Sequence, residues 1–137
     1  MITNDSAVRA GGRPTSPTGR GARIALWGTQ ILLAAMFIFA GGSKLLGAAA
    51  QVDLFNAIGF GQWFRYLTGA IEISGAVMLL IPSAAVFGAM LLVPTMIGAV
   101  ATNLSLGQSP APPLFLLIFA AAVAWARRDQ LQSLFSR

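Results

Sequence analysis

The chain reads as an all-α integral membrane protein, a four-helix bundle with a short amphipathic interfacial helix between spans one and two. Three observations predict this. Hydrophobic residues make up 56% of the 137 and charged ones only 9%, against about a quarter charged in a soluble globular protein. Four apolar segments are separated by turn-forming residues. Basic residues gather at both ends, and both tails can face the cytoplasm only if the number of spans is even.

Residues 1–23 are rich in Gly, Pro, Ser, Thr and Arg and lack apolar periodicity. They are expected to form a disordered basic cytoplasmic tail. With the segment that follows they mimic a signal peptide ending at Ala48-Ala49-Ala50. The apolar run is too long for a signal core and Lys44 interrupts it, so cleavage is not expected.

Span one covers about 24–43; the run from Ile24 to Gly42 makes about 28 Å of helix. Gly41 and Gly42 near its end would let another backbone approach closely. Ala48 to Phe64 is too short and too polar to span. Val52, Phe55 and Ile58 recur at helical spacing beside Asp53 and Asn56, the pattern of an amphipathic helix lying on the membrane surface, and Gly59 and Gly61 then turn the chain.

Span two covers about 63–81 and stops at Pro82. Span three covers about 84–103, with a kink expected at Pro94. An uncharged Gly/Pro/Ser loop leads to span four, about 111–126, which at about 24 Å is short. The membrane domain is thus 24–128, and 129–137 form a short cytoplasmic tail. In this topology Trp27 and Trp125 fall at the inner interface and Trp63 and Tyr66 at the outer one, an aromatic belt.

The net charge of +5 does not point to nucleic acid, because the arginines sit in the tails and only Lys44 and Arg65 lie between them. No basic face or aromatic-rich sheet module appears. With no Cys and no His, disulfide exchange, thiolate metal sites, iron–sulfur clusters and the usual haem ligation are excluded. No metal site and no covalently bound cofactor is expected.

One residue breaks the apolar pattern. Glu72 lies inside span two, where an ionisable group must find a partner, water or a proton. Arg65, Thr68, Gly69, Glu72 and Ala76 share one helix face. Helical side chains lean toward their own N-terminus, so Glu72 leans outward while Lys44, at the end of span one, leans inward to meet it. Span three adds Thr95, Ala99, Thr102 and Asn103 in the same outer half.

The expected candidate site is therefore Glu72, Lys44, Arg65, Thr68, Gly69 and Asn103, a polar cluster open to the outer face. Two readings stay open: an ion pair that pins helices together, and a group that binds a ligand or handles a proton. No second acid accompanies Glu72 for paired acid/base work, since Asp5 and Asp129 lie in the tails and Asp53 on the interfacial helix, and no catalytic residue is assigned. Gln30 and Thr29 are expected to bond within the bundle.

The motifs that frame Glu72 also carry a family resemblance. Gly41-Gly42-Ser43-Lys44 closes span one, Phe55 is followed by Gly59, and Tyr66, Gly69, Glu72, Gly75 and Ala76 follow at fixed spacing, then Met78-Leu79-Leu80. Over about Ala25 to Arg128 the chain resembles the DoxX-like family of small four-helix membrane proteins. That family includes a membrane subunit of thiosulfate:quinone oxidoreductase, partners of membrane oxidoreductases and receptor-assembly factors.

The resemblance implies a multi-pass plasma-membrane protein and brings a quinone or a redox partner into view; the missing Cys leaves a quinone pocket or a scaffold role. The expected function is a membrane subunit of an oxidoreductase system, non-catalytic or dependent on a partner subunit, and not an enzyme on its own. Glu72, Lys44 and Arg65 would hold a quinone or lipid headgroup, with Phe37 and Phe39 against its apolar part. The alternatives are an assembly or scaffold protein without a ligand, and a small-solute or proton-coupled permease, which would have to be a homo-oligomer. The lipid bilayer is the one partner common to all three.

Overall fold

A computed structural model describes residues 17–135. Six helices and no strands make up the described residues. The first, α1, runs from Pro17 to Leu45. It begins seven residues before the expected start of span one, because nothing between Thr18 and Arg23 forbids helix: Pro is at home in a first turn, and Gly costs only about 1 kcal/mol relative to Ala. Arg20 and Arg23 thereby join the helix. The rest of the expected N-terminal tail lies outside the described residues.

α1 stops where Gly47 turns left-handed (φ 74°). Ala48 N–H donates to Ser43 C=O at 3.0 Å and Gly47 N–H to Lys44 C=O at 3.3 Å, the paired bonds of a Schellman stop. The short helix α2, Ala49–Ile58, follows at once and ends on Gly59 (φ 86°), whose N–H bonds Phe55 C=O. Neither position suits a residue with a Cβ. α3 spans Gln62–Leu79, α4 Ala85–Ser105, α5 Ala111–Ala126 and α6 Arg128–Phe135. Pro112 and Pro113 sit in the first turn of α5, where their missing N–H groups cost nothing. α4 continues through Pro94.

The four long helices pack in a ring, α1 on α3, α3 on α4, α4 on α5 and α5 back on α1. Their shared core includes Phe37, Leu79, Leu92, Met96, Ala120 and Val123. Large apolar side chains also face outward on all four, among them Leu32, Trp63, Ile97 and Ile118. Such continuous exposed apolar surface is unlike a soluble monomer. Two helical stretches, Gly19–Leu45 and Ala85–Ser105, are long and apolar enough to cross a membrane; α5 is apolar but has 16 residues.

Contacts to α3 are set by glycine pairs. A Cβ on Gly41 would lie 2.8 Å from Gly69 C=O, and one on Gly69 would lie 3.0 Å from Gly41 C=O, so α1 and α3 touch backbone to backbone. A Cβ on Gly88 would lie 2.7 Å from Gly75 C=O, so α3 and α4 also approach closely, while one on Gly75 would lie 2.6 Å from Leu92 Cγ, a side chain of α4 that fills the space over that glycine. Small residues at such crossings gain van der Waals contact that lipid cannot replace.

Two polar ties fasten the other end of the ring. Gln30, fully buried, donates from Nε2 to Leu79 C=O at 2.8 Å and accepts from Arg127 Nε at 2.9 Å; the guanidinium lies over the Trp27 ring. The expected bonding of Gln30 within the bundle is thus observed. The second tie was not expected. Residues 129–135, read as tail, lie in helix α6, and Gln130 accepts from Val86 N–H at 3.2 Å while donating to Pro82 C=O. It caps the start of α4, whose own N-cap Ala84 makes no side-chain bond.

A single added methyl at the α3–α4 crossing should separate the two helices. Gly88→Ala is expected to destabilise by about 1–3 kcal/mol through overpacking. Gly28→Ala, where a Cβ meets nothing within 4 Å, should leave stability unchanged or raise it by up to about 1 kcal/mol. Thermal unfolding of the two variants in detergent micelles measures the difference.

Candidate functional site

The glycine crossing between α1 and α3 places the site. From Gly41, one turn onward in α1 lies Lys44; from Gly69, one turn onward in α3 lies Glu72. The helices are antiparallel, and each side chain leans back toward its own N-terminus, so the two converge. Lys44 Nζ lies 2.8 Å from Glu72 Oε1. Glu72 is 1% exposed, and its Oε2 has no hydrogen-bond partner among the described residues.

This pair floors a cavity of about 440 Å³ that is walled by the end of α1, by α2, and by α3, α4 and α5. Most of its wall is apolar, including Leu54, Phe55, Ile58, Phe64, Ile71 and Leu116. A predominantly apolar concavity with a few convergent polar groups has the usual composition of a small-molecule site. α2 forms its roof. Phe55 is buried and its ring meets Phe64 edge-on at 5.7 Å, and Gln62 Nε2 donates to Asn56 Oδ1 at 2.8 Å and to Val52 C=O at 3.2 Å.

Four of the six expected site residues line this cavity: Glu72, Lys44, Thr68 and Asn103. Arg65 does not. It is buried, but its Nη1 donates to Lys44 C=O, its Nε to Gln62 Oε1 at 2.7 Å, and its guanidinium covers the Tyr66 ring at 4.3 Å. Its role is to cap the C-terminus of α1, where a cation is favoured by the free carbonyls. Gly69 is also absent from the lining, being spent on the contact with Gly41. Of the two expected aromatic walls, Phe37 is part of the closed core and Phe39 faces outward with 79% exposure.

Gln51 was missed. It lines the cavity from α2, and its Oε1 is buried with no hydrogen-bond partner among the described residues. The signal was available: Gln51, Phe55 and Ile58 are spaced i, i+4, i+7 and share a helix face. Among the described residues no three carboxylate, imidazole or thiol groups gather as metal ligands.

Comparison with known proteins agrees with this framework. The family model described as the DoxX-like family matches residues 28–127, so the chain belongs to that family, as its motifs indicated. No curated protein and no solved structure matches the chain.

Removing one partner of the buried pair should cost far more than removing both. Lys44→Met leaves an uncompensated carboxylate and is expected to destabilise by about 3–5 kcal/mol. Adding Glu72→Met should recover most of that loss. A double-mutant cycle from unfolding midpoints in mixed micelles tests it, and equal losses in the single and double variants would contradict the assignment.

Proposed function

With membership of the DoxX-like family as its premise, we propose that the chain is a four-span integral membrane protein of the plasma membrane with both termini cytoplasmic. Its outer-half cavity binds the headgroup of a small amphipathic molecule of the quinone class. The protein serves an oxidoreductase system as a membrane subunit that is not catalytic on its own. The observation that carries this reading is the 440 Å³ cavity with the Lys44–Glu72 pair at its floor. A charge pair serving only as a helix pin has no need of an accessible volume beside it.

α3 fits a span although Arg65 and Glu72 lower its apolarity. Both are buried, one on the end of α1 and one on Lys44, so neither charge meets lipid. Its 18 residues make about 27 Å of helix. α2 lies along the outer interface in this arrangement, with Asp53 and Asn56 facing water and Phe55 facing the cavity. Trp27 and Trp125 fall at one interface and Trp63 and Tyr66 at the other. A headgroup would meet Lys44, Glu72, Gln51, Thr68 and Asn103, with Phe64, Ile71 and Leu116 against its apolar portion.

Two measurements test the proposal. The chain has no native cysteine, so single cysteines report topology cleanly. Leu46→Cys and Gln108→Cys should react with an impermeant maleimide on intact cells, and Ser83→Cys and Ser133→Cys only after permeabilisation. The reverse pattern, or reaction of adjacent loops on one side, would remove the four-span reading. Quinone extracted with the purified protein should fall several-fold in Glu72→Gln while the protein level in membranes holds. Loss of the protein itself would favour the helix-pinning role and a scaffold function.

A further inference from the structure

We infer that the cavity selects a hydrogen-bond donor, so that of a quinone couple it takes the quinol in preference to the quinone; this rests on the cavity being a ligand site, as proposed above.

The lining hydroxyls are spent as donors, whereas Lys44 keeps N–H groups beyond the one turned to Glu72. Thr68, Thr95 and Thr102 line the cavity, and each hydroxyl donates to a carbonyl of its own helix four residues back, at 2.8 Å. Asn103 Nδ2 donates to Ser109 C=O at 2.9 Å. The acceptors differ. Glu72 Oε2 and Gln51 Oε1 are buried in the same lining without hydrogen-bond partners among the described residues. The ammonium 2.8 Å from Oε1 favours the ionised form of Glu72, which has only acceptor capacity. The Gln51 amide can rotate to present its nitrogen, so the charge on Glu72 carries most of the weight.

A quinone headgroup offers two carbonyl oxygens, which can only accept. It could accept from Lys44 but would leave the buried carboxylate oxygen unpaired, and burying an ionised acceptor without a donor is strongly disfavoured. A quinol hydroxyl accepts and donates at once. One hydroxyl can accept a hydrogen bond from Lys44 while donating one to Glu72 Oε2, a charge-assisted bond. Sites built to hydrogen-bond a hydroxyl reject analogues lacking it by large factors.

The test titrates the full chain in nanodiscs, under anaerobic conditions, with a short-chain benzoquinol, its quinone and its dimethyl ether, by isothermal titration calorimetry. The expected result is that the quinol binds at least about tenfold more tightly than either analogue. Glu72→Gln supplies a donating amide and should shrink or reverse that preference. Gln51→Leu, on the peripheral helix α2, removes the second free acceptor and should narrow the quinol preference several-fold, which keeps the test open if Glu72→Gln does not fold. Quinone or ether binding as tightly as quinol would overturn the donor selectivity while leaving the cavity a ligand site. Saturable binding of none of the three would overturn both.

Discussion

The architecture depends on how closely α3 approaches its two neighbours. With ordinary side chains at a crossing, helix axes sit about 8–10 Å apart. At Gly41, Gly69 and Gly88 a carbonyl oxygen of the facing helix occupies the space where a Cβ would be, and at Gly75 the Leu92 side chain does. In lipid there is no hydrophobic gain from joining two apolar helices, so this contact carries much of the association. It also sets register. Lys44 and Glu72 are each three residues past their glycine, and a shift of one turn at the crossing would move the pair out of reach. The electrostatics of the site is therefore a consequence of the packing.

The pair was legible in the sequence because it follows from one local rule, the lean of helical side chains, applied to two helices joined by a short connection. Asn103 and Thr68 were legible for the same reason, as members of small polar stripes at helical spacing. Arg65 was misplaced because its partner is the backbone carbonyl of Lys44 in the Schellman turn at Gly47, which accepts from Arg65 as well as from Gly47 N–H, and a side-chain inventory counts charges rather than carbonyls. Phe37 and Phe39 differ by two residues, about 200° around a helix, so they could not both face one cavity. Their assignment to core and to the outside needed the packing of α5 and α3.

The long apolar segments and their order were also readable, since hydropathy over twenty residues is a strong signal. The ends were not. α1 extends to Pro17 and residues 128–135 are helical, although both stretches are too polar to stand out by apolarity. α6 owes its place to Gln130 bonding around Pro82 and Val86, a pairing 44 residues apart in sequence that no local pattern encodes. The roof of the cavity was half legible. An amphipathic helix was expected over Val52, Phe55 and Ile58, but the face it buries is rotated to include Gln51.

The tie made by Gln130 has a consequence for biogenesis. The first turn of α4 offers amide groups that its own N-cap does not satisfy, and the side chain that satisfies one of them leaves the ribosome 44 residues later. At a synthesis rate of about 5–20 residues per second that interval is roughly two to nine seconds. During it, interfacial water or lipid phosphate must serve the amide instead. A longer delay, roughly five to nineteen seconds at the same rate, applies to the clasp of Arg127 on Gln30, 97 residues apart. The bundle is thus fastened at this end only after its fourth long helix has been made, and the nascent chain stays open there for most of its translation.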